Sequence, residues 1–434
     1  MELTKGQCMS AASSVGYKQS GIVQIPIDWE SVRLTDVARL ESGHTPSRRQ
    51  PCYWDGGIPW VSLHDTDSLD TREIFNTQRT VTPEGIENSS ARLLPKGTVV
   101  FSRTATVGKA TVLGREMATS QDFANYICGP RVHNHFLVYL FRFMAPQWKR
   151  LMAGSIHNTV YMPVFKVLRV TLPPKSEQEA IAAALLDVDV LLAKLDVLVA
   201  KKRDIKQATM QQLLTGQTRL PGFRGRWEVR RLEELFSFSG GYTASRDQLS
   251  ETGYCYLHYG DIHLSKKTFI DVETEHLEIP KLVVGLNKVS SASILKDGDI
   301  VFVDASEDAD GTSKHIVVAN CGDRPFISGL HTIVAKSKGN RLDDLFKRYC
   351  FQTRNIKEQF RFFAVGTKVS GISKTNVAKV ELRFPIMQDE QRAIATILSD
   401  MDAEIAALEG RRDKTHALKL GMMQELLTGS LRLK

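Results

Sequence analysis

At 434 residues, with 42% apolar and 24% charged side chains, the chain is long enough for about three domains and has the make-up of a folded protein. No run of 18 apolar residues occurs, which excludes a membrane-spanning helix, and six scattered cysteines without a Cys-x-x-Cys pair argue against zinc and against a disulfide framework. The net charge of +8 lies outside two long segments, residues 177–220 with six basic and six acidic residues and residues 390–434 with seven of each, so the basic surface belongs to what lies between them.

Residues 1–21 are small and polar, without an apolar core of signal-peptide type, and are expected to form a flexible leader. A reducing, cytoplasmic setting follows as the expectation. Residues 22–172 read as one mixed α/β domain. A short helix is expected at residues 34–39, and strands at residues 58–62, 98–102, 110–113 and 123–127. Helix follows over residues 135–152, and the chain returns to the sheet over residues 164–172. Residues 173–221 form a helical spacer and a breaker-rich linker. Residues 222–384 form a second domain, with a last strand at residues 377–384, and residues 385–434 a second spacer.

The two spacers are copies. Residues 177–220 align with residues 390–433 without a gap, and 20 of the 44 positions are identical. Ile181, Leu185, Val188, Leu192, Leu195 and Val199 step by four and three, as do Ile394, Leu398, Met401, Ile405 and Leu408, which is the seam of a heptad helix. Ser176 with Glu179 has the form of a capping box, Asp389 is placed to cap the second helix, and Gly216 and Gly429 are placed to end the two helices. The copies differ elsewhere: Leu191, Leu198 and Val199 correspond to Glu404, Arg411 and Arg412, so the outer faces of the two helices are expected to be unlike. The domains echo each other more faintly. Trp29-Glu30-Ser31-Val32-Arg33-Leu34 returns as Trp227-Glu228-Val229-Arg230-Arg231-Leu232, Leu94-Pro95-Lys96-Gly97 as Leu295-Lys296-Asp297-Gly298, Ser42-Gly43 as Ser239-Gly240-Gly241, and Gly154-Ser155 as Gly366-Thr367. The expected fold is therefore mixed α/β, two similar domains separated by two long helices that pair as an antiparallel coiled coil with a pseudo-two-fold axis. Such a rod would place two readers along one DNA duplex.

The doubled Glu-Gln-x-x-Ile…Leu-Leu-Thr-Gly-x-x-Arg-Leu segment, ending at Leu213–Leu220 and Leu426–Leu433, resembles the specificity (S) subunit of type I restriction–modification systems. So do the Thr-Gly-Gln-Thr-Arg-Leu-Pro-Gly-Phe linker and the variable domain before each helix. The resemblance covers nearly everything after residue 22. It implies two target recognition domains, each reading one half of a bipartite DNA sequence, with the helix pair setting the unread gap. It also implies two methyltransferase (modification) subunits docked on the helices, and restriction subunits able to join. Catalysis would lie in those partners: S-adenosylmethionine in the methyltransferase, ATP and Mg in the restriction subunit, and no cofactor or metal in this chain.

The residues themselves agree with a non-catalytic role. Leu172-Pro173-Pro174-Lys175 lacks the polar and aromatic partners of an amino-methyltransferase motif. Gly108-Lys109 has Arg103 and Ala110 where a P-loop needs glycine and a hydroxyl. Asp304, Glu307, Asp308 and Asp310 form a carboxylate cluster better read as a solvated loop than as a nuclease site. A stand-alone nuclease or methyltransferase and a coiled-coil adaptor without DNA are the competing readings. DNA contacts need cations, amides and hydroxyls on loops. In the first domain these are Ser42, Thr45, Arg48, Arg49, Arg103, Lys109, His157 and Asn158. In the second they are Tyr242, Arg246, Lys266, Lys267, Lys314, His315, Lys368 and Ser370, with Gly366-Thr367-Lys368-Val369-Ser370-Gly371 the strongest single segment.

Overall fold

The computed structural model describes residues 16–20, 23–152, 158–306, 311–366 and 369–433. The chain divides into two compact units. One holds residues 1–196 and 410–434; the other holds residues 197–409. The boundaries fall inside both long helices, Lys175–Leu214 and Gln388–Thr428, so each unit owns one recognition-type domain and half of each helix.

In the first unit a five-stranded sheet runs in the order Ala38–Ser42, Phe123–Cys128, Val99–Ser102, Ala110–Leu113, Glu73–Ile74. The first three pairings are antiparallel and the last is parallel. The central strands are buried on both faces. The helix Asn134–Phe143 covers them with Phe136, Leu137 and Phe141, beside Phe101, Trp148 and Phe165. A smaller sheet is built on Trp54–Val61, which pairs parallel with Ala118–Thr119 and antiparallel with Thr80–Val81. Glu30–Arg33 and Arg169–Leu172 close the domain as an antiparallel pair.

The second unit repeats the main sheet and the closing pair strand for strand, and its smaller sheet has five strands where the first unit has three. Its main sheet runs Phe236–Gly240, Thr332–Ser337, Ile300–Val303, His315–Ala319, Phe269–Asp271, again with only the last pairing parallel. Tyr254–Leu257 pairs parallel with Phe326–Ser328 and antiparallel with Lys281–Leu282. Trp227–Arg231 and Glu381–Pro385 are the closing pair. The faint sequence echoes mark where this plan needs particular residues. Gly97 and Gly298 take φ of +88° and +78° in the turns leading to the central strands. Gly43 and Gly241 lie where a Cβ would meet the Ser120 carbonyl oxygen at 2.1 Å and the Gly329 carbonyl oxygen at 1.8 Å.

Within each unit the helix halves pair antiparallel. In the first, Asp189 meets Lys419 at 2.6 Å and Asp196 meets Arg412 at 3.7 Å. In the second, Lys202 meets Glu404 at 2.6 Å and Lys206 meets Asp402 at 2.5 Å. The expected seam is inward. Ile181, Leu185, Leu195, Val199, Ile394, Leu398 and Ile405 are buried, and Val188, Leu192, Met401 and Leu408 half-buried. The helix ends do more than pair. Ile181 and Leu185 with Met423, Leu426 and Leu427 join the first domain's core, and Met210, Leu213 and Leu214 with Ile394 and Leu398 join the second's.

The repeated motifs lock these ends (the two sets sit in different units and never share a residue). Trp29 Nε1 donates to Glu177 Oε2 at 3.1 Å, while Arg432 grips both Glu177 oxygens at 2.7 Å and Asp28 at 2.7 and 2.9 Å. In the second unit Trp227 Nε1 donates to Glu390 at 3.3 Å and Arg219 grips the same carboxylate at 2.6 and 2.8 Å. Each Arg also lies 5.6 Å over its Trp ring. Gly429 and Gly216, at φ +78° and +71°, press against Trp29 and Trp227. The neighbouring Gln178 and Gln391 are buried. Gln178 accepts from the His133 amide and Gln391 from the Asp343 amide, both at 2.8 Å, pinning the start of each long helix to its domain. So the Glu, Gln, Thr and Arg of the doubled motif each make a side-chain bond, while its Ile and Leu-Leu pack into the cores. The Arg–Glu pairs join the end of one copy to the start of the other.

Several expectations need correction. Residues 34–39 are a single 3-10 turn, Leu34–Asp36, followed by the edge strand. The helix over residues 135–152 is two, Asn134–Phe143 and Ala145–Met152, the second opened by Pro146. Residues 164–172 and 377–384 each hold a short helix before the strand, Met162–Val167 and Lys374–Lys379. The long helices begin at Lys175 and Gln388, so Ser176 and Asp389 lie inside the first turn and cap nothing. Val199 belongs to the buried seam, whereas Leu191 and Leu198 do face outward.

Candidate nucleic-acid interface

In each unit the long helix begins at one end of the main sheet, where Gln178 meets Arg131 and His133 and Arg392 meets Asp343. The polar loops leave from the other end. By strand register Ser42, Ser102, Ala110 and Phe123 share that far end in the first unit, and Gly240, Phe302–Val303, His315 and Thr332 share it in the second. Ser42, Arg103, Lys109 and, through the Thr104–Thr159 bridge, Asn158 lie at this end in the first unit, and Tyr242, Lys314 and His315 in the second.

In the first unit Ser42 is exposed and bonds the Gly43 carbonyl, and Thr45 donates to Gln121 Oε1 at 2.6 Å. Arg103 donates from Nε to the Gln121 carbonyl at 2.9 Å and from Nη1 to the Val160 carbonyl at 3.4 Å. Arg48 and Arg49 are exposed on the loop after Pro46, and Asn158 is exposed with φ of +48°. Lys109 is committed within the fold, to Asp70 at 2.6 Å and the Thr66 carbonyl at 3.3 Å. His157 lies outside the described residues.

In the second unit Tyr242 is half-buried and its carbonyl accepts from Tyr256 Oη at 2.8 Å. Arg246 pairs with Asp261, Lys267 with Glu275 at 3.2 Å, and Lys314 Nζ bonds the His263 carbonyl at 2.5 Å. Lys266 is exposed. Ser370 pairs with Ser306 in a two-residue ladder, while Lys368 and Thr367 of the favoured segment lie outside the described residues. Glu307, Asp308 and Asp310 of the carboxylate cluster do so too; Asp304 faces His331. One candidate is removed. His315 is 5% exposed, packs at 5.1 Å from the Phe351 ring, and burial pushes its imidazole down to about 4. Its strand is buried on both faces, so a polar residue there is no sign of a loop contact.

The structure adds residues that spacing alone did not single out. Gln121 links Thr45 to Arg103. His331 stands at φ +58° with its ring edge-on to Tyr259 at 5.4 Å. Left-handed φ outside glycine falls at Ala105, Asn158 and His331 at this sheet end, and elsewhere at Asp55 in the smaller sheet and at Asn320 past the opposite end of the His315–Ala319 strand. Backbone held in that region is sustained by its surroundings and concentrates at functional loops. Cations, amides and hydroxyls on such loops supply both phosphate and base-edge contacts. Among the described residues no cluster of His, Cys, Asp or Glu is placed to hold a metal, and no helix is long and apolar enough to cross a membrane.

The family model of the type I restriction modification DNA specificity domain matches residues 26–196 and again residues 225–415. The MjaVIII specificity subunit of a type I restriction enzyme from Methanocaldococcus jannaschii is 23% identical over 434 aligned positions, covering 96% of both chains. The MjaIX specificity subunit of the same organism is 29% identical over 178 residues, 41% of each chain. The crystal structure of the type I restriction–modification S subunit from M. genitalium superposes with a TM-score of 0.54 at 13% identity, covering 94% of this chain and 97% of that one. Two copies of one domain model, full-length relatives and a shared fold agree: the chain belongs to the specificity subunits of type I restriction–modification systems, with two tandem recognition domains.

Proposed function

We propose that each unit reads one half of a bipartite DNA target with the loops at the far end of its main sheet. The helix pair sets the unread gap and carries two methyltransferase subunits, through which restriction subunits join. The observation that carries this reading is the contrast within the duplication. The main sheets, the turn glycines and the Arg–Glu–Trp locks repeat, while the loop residues at the far sheet ends do not. A frame kept twice with different tips suits two readers of different sequences. The chain itself performs no chemistry in this reading. S-adenosylmethionine belongs to the methyltransferase, and ATP and Mg to the restriction subunit. Exposed Val190, Leu191, Val197 and Leu198 on the first long helix offer apolar area for partner subunits.

The test is exchange of residues 22–172 for the same domain of a relative, followed by mapping of methylated sites. One half-site should change and the other stay. A change in both, or in neither, refutes the reading. Turnover of DNA by the purified chain alone, with Mg or S-adenosylmethionine, would favour the competing enzyme reading.

A further inference from the structure

The strand registers of the two main sheets fix which loop residues are equivalent. Ser102 faces Phe123 in the first unit and Val303 faces Thr332 in the second. The next residues outward are therefore Arg103 with Asp122 and Asp304 with His331. The backbone confirms the match: the Arg103 amide donates to the Asp122 carbonyl at 3.0 Å, and the Asp304 amide to the His331 carbonyl at 3.1 Å. The same main-chain bond thus carries side chains of inverted charge. Arginine stands in one unit where aspartate stands in the other, and aspartate stands where histidine does.

Both side chains are held. The carbonyls of Gln121 and Val160 fix the plane of the Arg103 guanidinium, and its Nη2 has no hydrogen-bond partner among the described residues. Asp122 is turned to the Ser120 hydroxyl at 2.8 Å. In the second unit Asp304 Oδ1 meets His331 Nδ1 at 3.2 Å, and Tyr259 braces the His331 ring. Among the described residues Asp304 Oδ2 has no hydrogen-bond donor, and about a third of its side chain is exposed. A fixed guanidinium donates, and in the major groove guanine offers it the O6 and N7 acceptors. A carboxylate accepts, and it matches the amino groups of cytosine N4 or adenine N6. Solvated loop charges would need neither the shared main-chain bond nor the side-chain bracing.

We propose that Arg103 and Asp304 are equivalent base-reading positions of opposite polarity, Arg103 reading a guanine in one half-site and Asp304 an amino-bearing base, cytosine or adenine, in the other. This rests on the proposed function, in which each unit reads one half-site.

The experiment maps methylated sites in cells carrying the chain with its methyltransferase partner, for the unaltered chain and for Arg103→Gln, Arg103→Lys and Asp304→Asn. Two defined half-sites for the unaltered chain belong to the reading on which this inference rests, and their absence refutes that reading whatever the variants do. Given them, Arg103→Gln should weaken the preference at one guanine, in the half-site that changes on exchange of residues 22–172, by about tenfold or more, with the other half untouched. Asp304→Asn should alter one cytosine or adenine position in the opposite half only. Arg103→Lys keeps the charge and loses the fork, so methylation should persist while discrimination at that guanine falls. It also covers the case in which Arg103→Gln does not fold. Unaltered half-sites in the variants, a uniform fall across all sites, or changes in both halves would overturn the assignment.

Discussion

Arg432→Ala should destabilise the first unit by about 3 kcal/mol. Its guanidinium makes two bonds of 2.7 Å to Glu177, whose side chain is only 4% exposed, and two to Asp28. Removing one partner of a buried pair costs roughly 3–5 kcal/mol because the other charge is left without compensation, and the partly exposed Arg432 places the loss at the low end. Trp29 and the Leu433 amide still bond Glu177, so the carboxylate is not wholly abandoned. Glu177→Ala with Arg432→Ala should cost less than the sum of the single changes, with a coupling of about 2 kcal/mol. The assay is denaturant unfolding followed by tryptophan fluorescence, since four of the five tryptophans, Trp29, Trp54, Trp60 and Trp148, lie in the first unit. The same bond has a pH signature. Burial opposes ionisation of Glu177, but the Arg432 and Trp29 bonds outweigh it and hold the carboxyl below its ordinary 4.5. A folded-state value below the unfolded one gives stability that is present above 4.5 and lost as the pH falls through the lower, folded value. A single change costing under about 0.5 kcal/mol, or strictly additive changes, would refute the lock.

His315 should make the second unit acid-sensitive. Its imidazole titrates near about 4 when buried and near 6.5 when unfolded, so stability present above 6.5 is lost towards 4, by about 3 kcal/mol; His315→Gln should remove that part of the pH slope, and an unchanged slope would refute it. Two extra turns inserted in the first helix after Ala193, with two matching turns after Thr415, should lengthen the unread gap by about three base pairs, from about 11 Å of added helix and 3.4 Å per base pair, and leave both half-sites as they were. An unchanged gap in the methylation map would refute the helix pair as its ruler.

Repetition made the frame legible. The Glu-Gln and Leu-Leu-Thr-Gly-x-x-Arg-Leu segments stand out because their residues are tied to fixed partners. Glu177 and Glu390 meet arginines from the opposite copy, and Gly216 and Gly429 take left-handed turns against tryptophans. Period and identity announce such segments, but not the bonds between them. Local signals were weaker. Ser176 has the form of a cap, yet the helix already begins at Lys175 behind two prolines. Met162–Val167 is too short for a period, although Pro163 in its first turn is a usable signal, as is Ser373, whose hydroxyl accepts from the Asn376 amide ahead of the next short helix. At the interface, chemistry alone chose loop cations and hydroxyls. It could not see that Lys109 is held by Asp70 or that the His315 strand is buried on both faces. Nor could it pair Arg103 with Asp304, because that equivalence is written in strand register and not in residue identity.

The most direct measurement of the central claim is a methylation map of DNA from cells carrying this chain with its methyltransferase partner. The account predicts methylated adenines in one bipartite sequence, two different half-sites at a constant spacing. A single continuous site, two identical half-sites, or methylation unchanged when the chain is absent would contradict it.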